Sequence, residues 1–186
     1  MKIFISGGCK NGKSFYSQRL AKSRQTGLLY YIATMSSADP EDDERIARHR
    51  RERDGWGFET VEQSSDIEQI LNKCELNGSF LLDSLTALLA NEMFTPDGSV
   101  NEYSADKIIN GISRITENIE NIVMVSDYIY SDAILYDSFT EKYRESLARI
   151  DRAAAKSCDI VLEAAYTGII VHKGMGLFGE LYEKIS

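Results

Sequence analysis

The chain has 186 residues, with 21 Lys plus Arg against 29 Asp plus Glu and a formal net charge of -8. That balance argues against a nucleic-acid binder, because phosphate neutralisation needs clustered cations. Hydrophobic residues at 43%, aromatics at 10% and only 2 prolines exclude a disordered or fibrous chain and suit one folded domain.

In chain order, Lys2 to Ser6 reads as a strand, Lys13 to Arg24 as a helix, Leu28 to Ala33 as a strand and Pro40 to Arg53 as a helix. Asp66 to Leu76 reads as a helix, Phe80 to Asp83 as a strand, and Ser84 to Met93 and Tyr103 to Asn118 as helices. Ile122 to Ser126, Phe139 to Lys156 and Asp159 to Ala165 continue as strand, helix, strand. The alternation predicts an α/β fold, a three-layer sandwich with a mostly parallel sheet. Thr167-Gly168 predicts a turn into Ile169 to Lys173, hence a C-terminal antiparallel hairpin on the sheet edge. Thr95 to Tyr103, with Pro96-Asp97-Gly98, reads as a surface loop.

Residues 1–173 are expected to form a single domain and 174–186 a short C-terminal tail, with Gly174 to Gly179 as a flexible connection. No stretch approaches the roughly 20 apolar residues of a membrane span. Gly7 and Gly8 interrupt the first apolar run too early for a secretory signal, and Cys9, Cys74 and Cys158 lie far apart, as free thiols do in a reducing compartment. A cytoplasmic location is expected.

The strongest motif is Gly7-Gly8-Cys9-Lys10-Asn11-Gly12-Lys13-Ser14, which satisfies G-x-x-x-x-G-K-[ST] between a strand and a helix. Its glycines let backbone N–H groups curl around a phosphate, Lys13 supplies a charge for the outer phosphates, and Ser14 can bind Mg²⁺. The motif does not choose between ATP and GTP. A second-strand carboxylate is expected to share the Mg²⁺. Asp83, ending the run Phe80-Leu81-Leu82, is the better candidate, since ligands collect at the C-terminal edge of a parallel sheet; Asp127 competes, and either could merely cap a turn.

Asp39 to Arg53 reads as one helix with an N-cap Asp, Pro40 first, acids early and bases late, in the order that complements the helix dipole. His49 stands four residues after Arg45 and four before Arg53, on one face. An imidazole among guanidiniums is disfavoured from protonating, so His49 is a candidate neutral nucleophile, with the arginines holding phosphate oxygens. His172, in the terminal apolar run, is read as structural.

The phosphate loop, the strand Tyr31-Ile32-Ala33-Thr34, the helix Arg45-Ile46-x-x-His49-Arg50-x-x-Arg53 and Leu82-Asp83-Ser84-Leu85-Thr86 with Asn91 together resemble the bifunctional adenosylcobinamide kinase / adenosylcobinamide-phosphate guanylyltransferase family of cobalamin biosynthesis. The resemblance implies two reactions: phosphorylation of adenosylcobinamide by a nucleoside triphosphate, then transfer of GMP from GTP through a guanylylated histidine, matched here by His49. It implies Lys13 as the other catalytic residue, Gly7 to Ser14, Thr34, Arg45, Arg50, Arg53, Glu62 and Asp83 as nucleotide-binding positions, Ser14 and Asp83 as Mg²⁺ ligands, corrinoid and nucleotide as small-molecule partners, and a homotrimer. The chain departs from the family pattern at Asp127-Tyr128-Ile129-Tyr130, where Asn-Glu and a glycine loop are usual, and at Asp54, Trp56, Tyr143-Arg144-Glu145 and Asp151-Arg152. Two alternatives stay open: a P-loop kinase alone, for another small acceptor, or a nucleotide-binding regulatory subunit.

Overall fold

The computed structural model describes the chain except Cys9, Ala38, Asp39, Pro96, Ser131, Thr167 and Ser186, and except the side chains of Glu41, Asp42, Arg45, Glu52, Lys184 and Ile185. Its described elements are β1 (Lys2–Gly7), α1 (Lys13–Ser23), β2 (Leu29–Ala33), α2 (Pro40–Glu52), β3 (Phe58–Glu62), a 3-10 turn (Ile67–Gln69) running into α3 (Ile70–Lys73), β4 (Ser79–Asp83), α4 (Leu85–Met93), α5 (Ser104–Asn118), β5 (Asn121–Val125), α6 (Ser138–Ser157), β6 (Ile160–Ala165), β7 (Gly168–Lys173) and α7 (Met175–Ile185). The sheet runs β3-β2-β4-β5-β1-β6-β7. Every neighbouring pair is parallel except β6 with β7, so the expected hairpin on the sheet edge is present.

Alternation along the strands makes the three layers. Phe4, Tyr30, Ile32, Phe80, Leu82, Ile122 and Met124 face α4, α5 and α6, whose Leu88, Leu89, Ile112, Ile115, Leu147 and Ile150 are buried against them. Ile3, Ile5, Leu29, Tyr31, Leu81, Val123 and Val125 face the other way, toward Leu20 and Ala21 of α1 and Phe178 and Leu181 of α7. Burying each Leu or Ile contributes about 1.5–3 kcal/mol, so the two faces hold the sheet between the helix layers.

Three elements differ from expectation. Phe58–Glu62 is an edge strand whose residues are mostly exposed, so apolar contrast was too weak to mark it. Met175–Ile185, expected to begin as a flexible connection, is a helix; its glycines lower helix propensity, yet Phe178 and Leu181 lie one turn apart and dock on α1 and β6. The helix expected over Asp66 to Leu76 ends at Lys73, where the chain turns through Glu75 to Gly78 by a Gly78 N–H bond to the Glu75 carbonyl.

Candidate functional sites at the sheet edge

The phosphate loop joins β1 to α1 at the C-terminal edge of the sheet, where α/β folds bind ligands. Gly12 adopts φ +89° at the helix N-cap, and Gly7 has φ +155°. A Cβ on Gly7 would lie 2.5 Å from the Ala164 carbonyl of β6, so only glycine allows that approach. Asn11 ties the loop to β6 by donating to the same carbonyl. Lys13 Nζ lies 2.8 Å from Asp127 Oδ1 and 2.8 Å from the Gly8 carbonyl, and its side chain is only 8% exposed. Ser14 follows it in the first turn of α1. Beside the loop opens a cavity of about 820 Å³, walled by Lys10, Asn11 and Gly12, by Phe15 and Tyr16 of α1, and by Ala164 to Tyr166. The Arg19 guanidinium lies 4.5 Å from the Phe15 ring centre.

A second cavity, about 440 Å³, opens over the ends of β2 and β4. His49, Arg50 and Arg53 line it from α2 and the turn after it, together with Glu62 of β3 and Asp83 of β4. The expected grouping of His49 with two of its arginines and with Asp83 therefore exists; the Arg45 side chain lies outside the described residues. Arg50 pairs with Glu62 at 2.9 Å on the surface. Arg53 is buried, its guanidinium carbon 3.6 Å from the centre of the Tyr31 ring and its Nη2 donating to Thr60 at 3.3 Å. The Tyr31 hydroxyl donates to Asp83 Oδ2 at 2.7 Å. Thr34 is buried behind this floor: its hydroxyl donates to the Ser84 carbonyl at 2.8 Å and accepts from the Ser84 N–H at 2.7 Å. Asn91 donates to the Thr34 carbonyl at 2.7 Å, so both residues shape the turn after β4.

The two sites are separate. Asp83 ends β4 and Gly7 ends β1, with β5 between them, which spaces the strand ends by about 10 Å. The loop that leads into Lys13 and Ser14 thus borders one cavity, and His49 and Asp83 line the other. Between them, Asp127 belongs to the phosphate loop: its N–H donates to Thr86 Oγ1 at 2.8 Å, and the next N–H, of Tyr128, donates to the Gly7 carbonyl at 3.0 Å.

Behind Asp127 lies a buried polar layer on α6. Burial pushes the Asp151 carboxyl up to about 7, against bonds from Ser126 and Tyr130 that pull it down. The Tyr130 hydroxyl donates to Asp151 at 2.9 Å, and the Tyr143 hydroxyl donates to the Thr86 carbonyl at 2.8 Å. Burial raises both phenols, so they stay donors across the physiological range. Arg144, buried on the same helix, gathers the segment after β5 by pairing with Asp132 at 2.7 Å and Glu141 at 2.6 Å and donating to the Ile129 carbonyl at 3.2 Å.

A family model described as cobinamide kinase / cobinamide phosphate guanyltransferase matches residues 3–172, nearly the whole chain. The chain belongs to this family. Membership makes it a transferase of cobamide synthesis that uses nucleoside triphosphates. Curated proteins show no significant match to it. Among solved structures it is similar to the flagellar accessory protein FlaH of Methanocaldococcus jannaschii, at 16% identity and TM-score 0.50 over 92% of this chain and 77% of that one. It is also similar to a KaiC-like protein of Pyrococcus horikoshii, at 12% identity and TM-score 0.51 over 92% and 78%. The ATPase domain of G40P follows at 11%, 0.50, 92% and 76%. At these identities the likeness speaks to the fold, a P-loop α/β sandwich.

Sequence reasoning marked the loop, His49 and Asp83, but not the Lys13–Asp127 pair or the role of Tyr31 as the support of Asp83. Position after β5 was the signal for Asp127. The aromatic wall at Phe15, Tyr16 and Tyr166 had no signal, because it joins residues some 150 positions apart. For Mg²⁺, no group of three or more His, Cys, Asp or Glu converges among the described residues. A hydroxyl in the first turn of α1 and a carboxylate at a strand end nonetheless fit a cation that takes few protein ligands and completes its shell with phosphate and water. No helix among the described residues is long and apolar enough to cross a membrane.

Proposed function

We propose that this chain phosphorylates adenosylcobinamide with a nucleoside triphosphate and then transfers GMP from GTP to the new phosphate through His49, giving adenosylcobinamide-GDP. The observation that supports this reading is the presence, in one member of the family, of a formed phosphate loop and a separate cavity holding His49, Arg50, Arg53 and Asp83. In the first reaction the loop N–H groups and Lys13 hold the outer phosphates, while the base of the nucleotide stacks in the cavity beside Phe15. Ser14 would hold Mg²⁺ at the loop, with Asp83, on the far side of β5, reaching it through a bound water, and the cation would offset charge on the phosphates. The acceptor oxygen bonds to the γ-phosphorus as the bond to the bridging oxygen breaks, leaving a nucleoside diphosphate.

In the second reaction a ring nitrogen of His49 attacks the α-phosphorus of GTP and pyrophosphate departs. The phosphate of adenosylcobinamide phosphate then displaces His49, and the P–N bond breaks. Arg50 and Arg53 offset charge developing on the α-phosphate oxygens. Because His49 and the loop open into different cavities, assembly as a homotrimer would let one subunit's loop present a triphosphate to its neighbour's histidine.

The experiment is incubation with GTP labelled at the α-phosphate. Acid-labile, base-stable label on wild type and none on His49→Ala is expected; unlabelled wild type removes the guanylyl half. The separation of the two cavities also favours a narrower reading, a kinase alone, in which γ-phosphate transfer survives His49→Ala and no nucleotide becomes covalently bound.

A further inference from the structure

We infer that Asp127 is the general base of the phosphoryl-transfer step, the group that takes the proton from the attacking hydroxyl; this rests on the kinase half of the function proposed above. The starting point is the 2.8 Å contact between Asp127 Oδ1 and Lys13 Nζ. A phosphate-loop lysine holds the outer phosphates. A carboxylate on that same ammonium therefore stands beside the γ-phosphate once a triphosphate is bound, about 4–5 Å from an oxygen at ordinary hydrogen-bond length on Lys13.

Two negative groups at that range repel, and they do so strongly where water is partly excluded. The arrangement becomes favourable when a proton donor stands between them. An alcohol does this: its O–H donates to Asp127 while its oxygen faces the γ-phosphorus. Lys13 then moves its charge from the carboxylate to the phosphates, keeping the Gly8 carbonyl as its anchor at 2.8 Å.

The backbone around Asp127 is held for such a role. Its own N–H donates to Thr86, and the N–H of Tyr128 donates to Gly7 at the start of the loop. The carboxylate is thus registered to the loop on one side and to α4 on the other, with its side chain 27% exposed, open enough for a substrate to reach.

Three other acidic groups that line the two cavities have partners of their own, Glu62 among them with Arg50 at 2.9 Å. Asp83 accepts from Tyr31 in the His49 cavity, and Glu163 pairs with His172 at 2.8 Å on the hairpin. The step balances without any further reagent: the hydroxyl oxygen bonds to the γ-phosphorus, the bond to the bridging oxygen breaks with its electron pair leaving on the nucleoside diphosphate, and the hydroxyl proton passes to Asp127 and later to water.

The test compares wild type, Asp127→Asn and Asp127→Ser for transfer from γ-labelled ATP to adenosylcobinamide, with rates expressed per ATP site titrated by calorimetry. Transfer should fall by about 10²–10⁴-fold in both variants. ATP affinity should hold or rise, since Lys13 loses a competing anion. A rate within threefold of wild type, or a higher one, would show that Asp127 only latches the lysine and would overturn the inference. Recovery of the lost rate on raising Mg²⁺ would overturn it too, by making Asp127 a metal ligand. If wild type transfers phosphate only to water, the corrinoid assignment fails while the role of Asp127 still predicts the same drop in phosphate release. If wild type releases no phosphate from ATP at all, both fail.

Discussion

The Arg53 guanidinium stacks on Tyr31, 3.6 Å from the ring centre, and so reaches the His49 cavity as a fixed plate of charge rather than as a mobile arm. The stack is possible because Arg53 sits just past α2, 7% exposed, over a tyrosine of β2 whose hydroxyl already holds Asp83. Arg53→Lys should not substitute, because an ammonium lacks the planar face that stacks on Tyr31 while its edge donates to Thr60. It should cost about 1–2 kcal/mol in chemical denaturation. Tyr31→Phe keeps the stack and removes the hydroxyl that bonds Asp83; it should slow histidine labelling by GTP while leaving the unfolding free energy within about 1 kcal/mol of wild type.

The phosphate loop offers a paired glycine test. At Gly7 a Cβ would meet Asn11 Nδ2 at 2.3 Å and the Ala164 carbonyl at 2.5 Å, on a backbone with φ +155°. At Gly8 nothing lies within 4 Å of a Cβ. Gly7→Ala should destabilise the chain by more than 2 kcal/mol and abolish ATP binding, whereas Gly8→Ala should melt within a few degrees of wild type. Equal melting of the two variants by calorimetry would contradict the close approach of β1 to β6.

Asp151 sets an expected pH dependence. Its folded-state pKa is raised to about 7 from an ordinary 3.8, so between those values the folded chain holds a proton that the unfolded chain has released. Stability from this group is therefore complete below about pH 4, declines as pH rises, and is lost above about pH 7. Asp151→Asn should remove that decline, making the variant relatively more stable than wild type at pH 8 than at pH 5, by up to a few kcal/mol. Urea unfolding of both proteins at the two pH values measures it, and the difference isolates Asp151 from the other carboxylates.

The last helix should matter to stability. Phe178 and Leu181 of α7 are buried against α1 and β6. Leu181→Ala should cost about 2–4 kcal/mol, and Leu177→Ala, on an exposed position of the same helix, under 1 kcal/mol. If the two variants unfold at the same urea concentration, α7 is not docked.

Most of the fold was legible because it is written locally: glycine spacing marks a phosphate loop, a run such as Phe80-Leu81-Leu82 marks a buried parallel strand, and helix-period patterning marks α5 and α6. The hairpin was legible for the same reason. β3 and α7 were not, since one is an exposed edge whose pairing with β2 supplies its order, and the other is a glycine-bearing segment that becomes a helix by docking.

Sequence by itself determined that this chain would carry a phosphate loop, an arginine-flanked histidine and an acidic strand end, because each is a short pattern with its own chemistry. Tertiary structure alone decided their grouping. Strand order inserts β5 between β1 and β4, so it sends Asp83 to the histidine, brings Asp127 to Lys13, and opens one cavity beside the loop and another at His49. Strand order depends on which apolar faces pack together across the whole chain, and no local spacing encodes that.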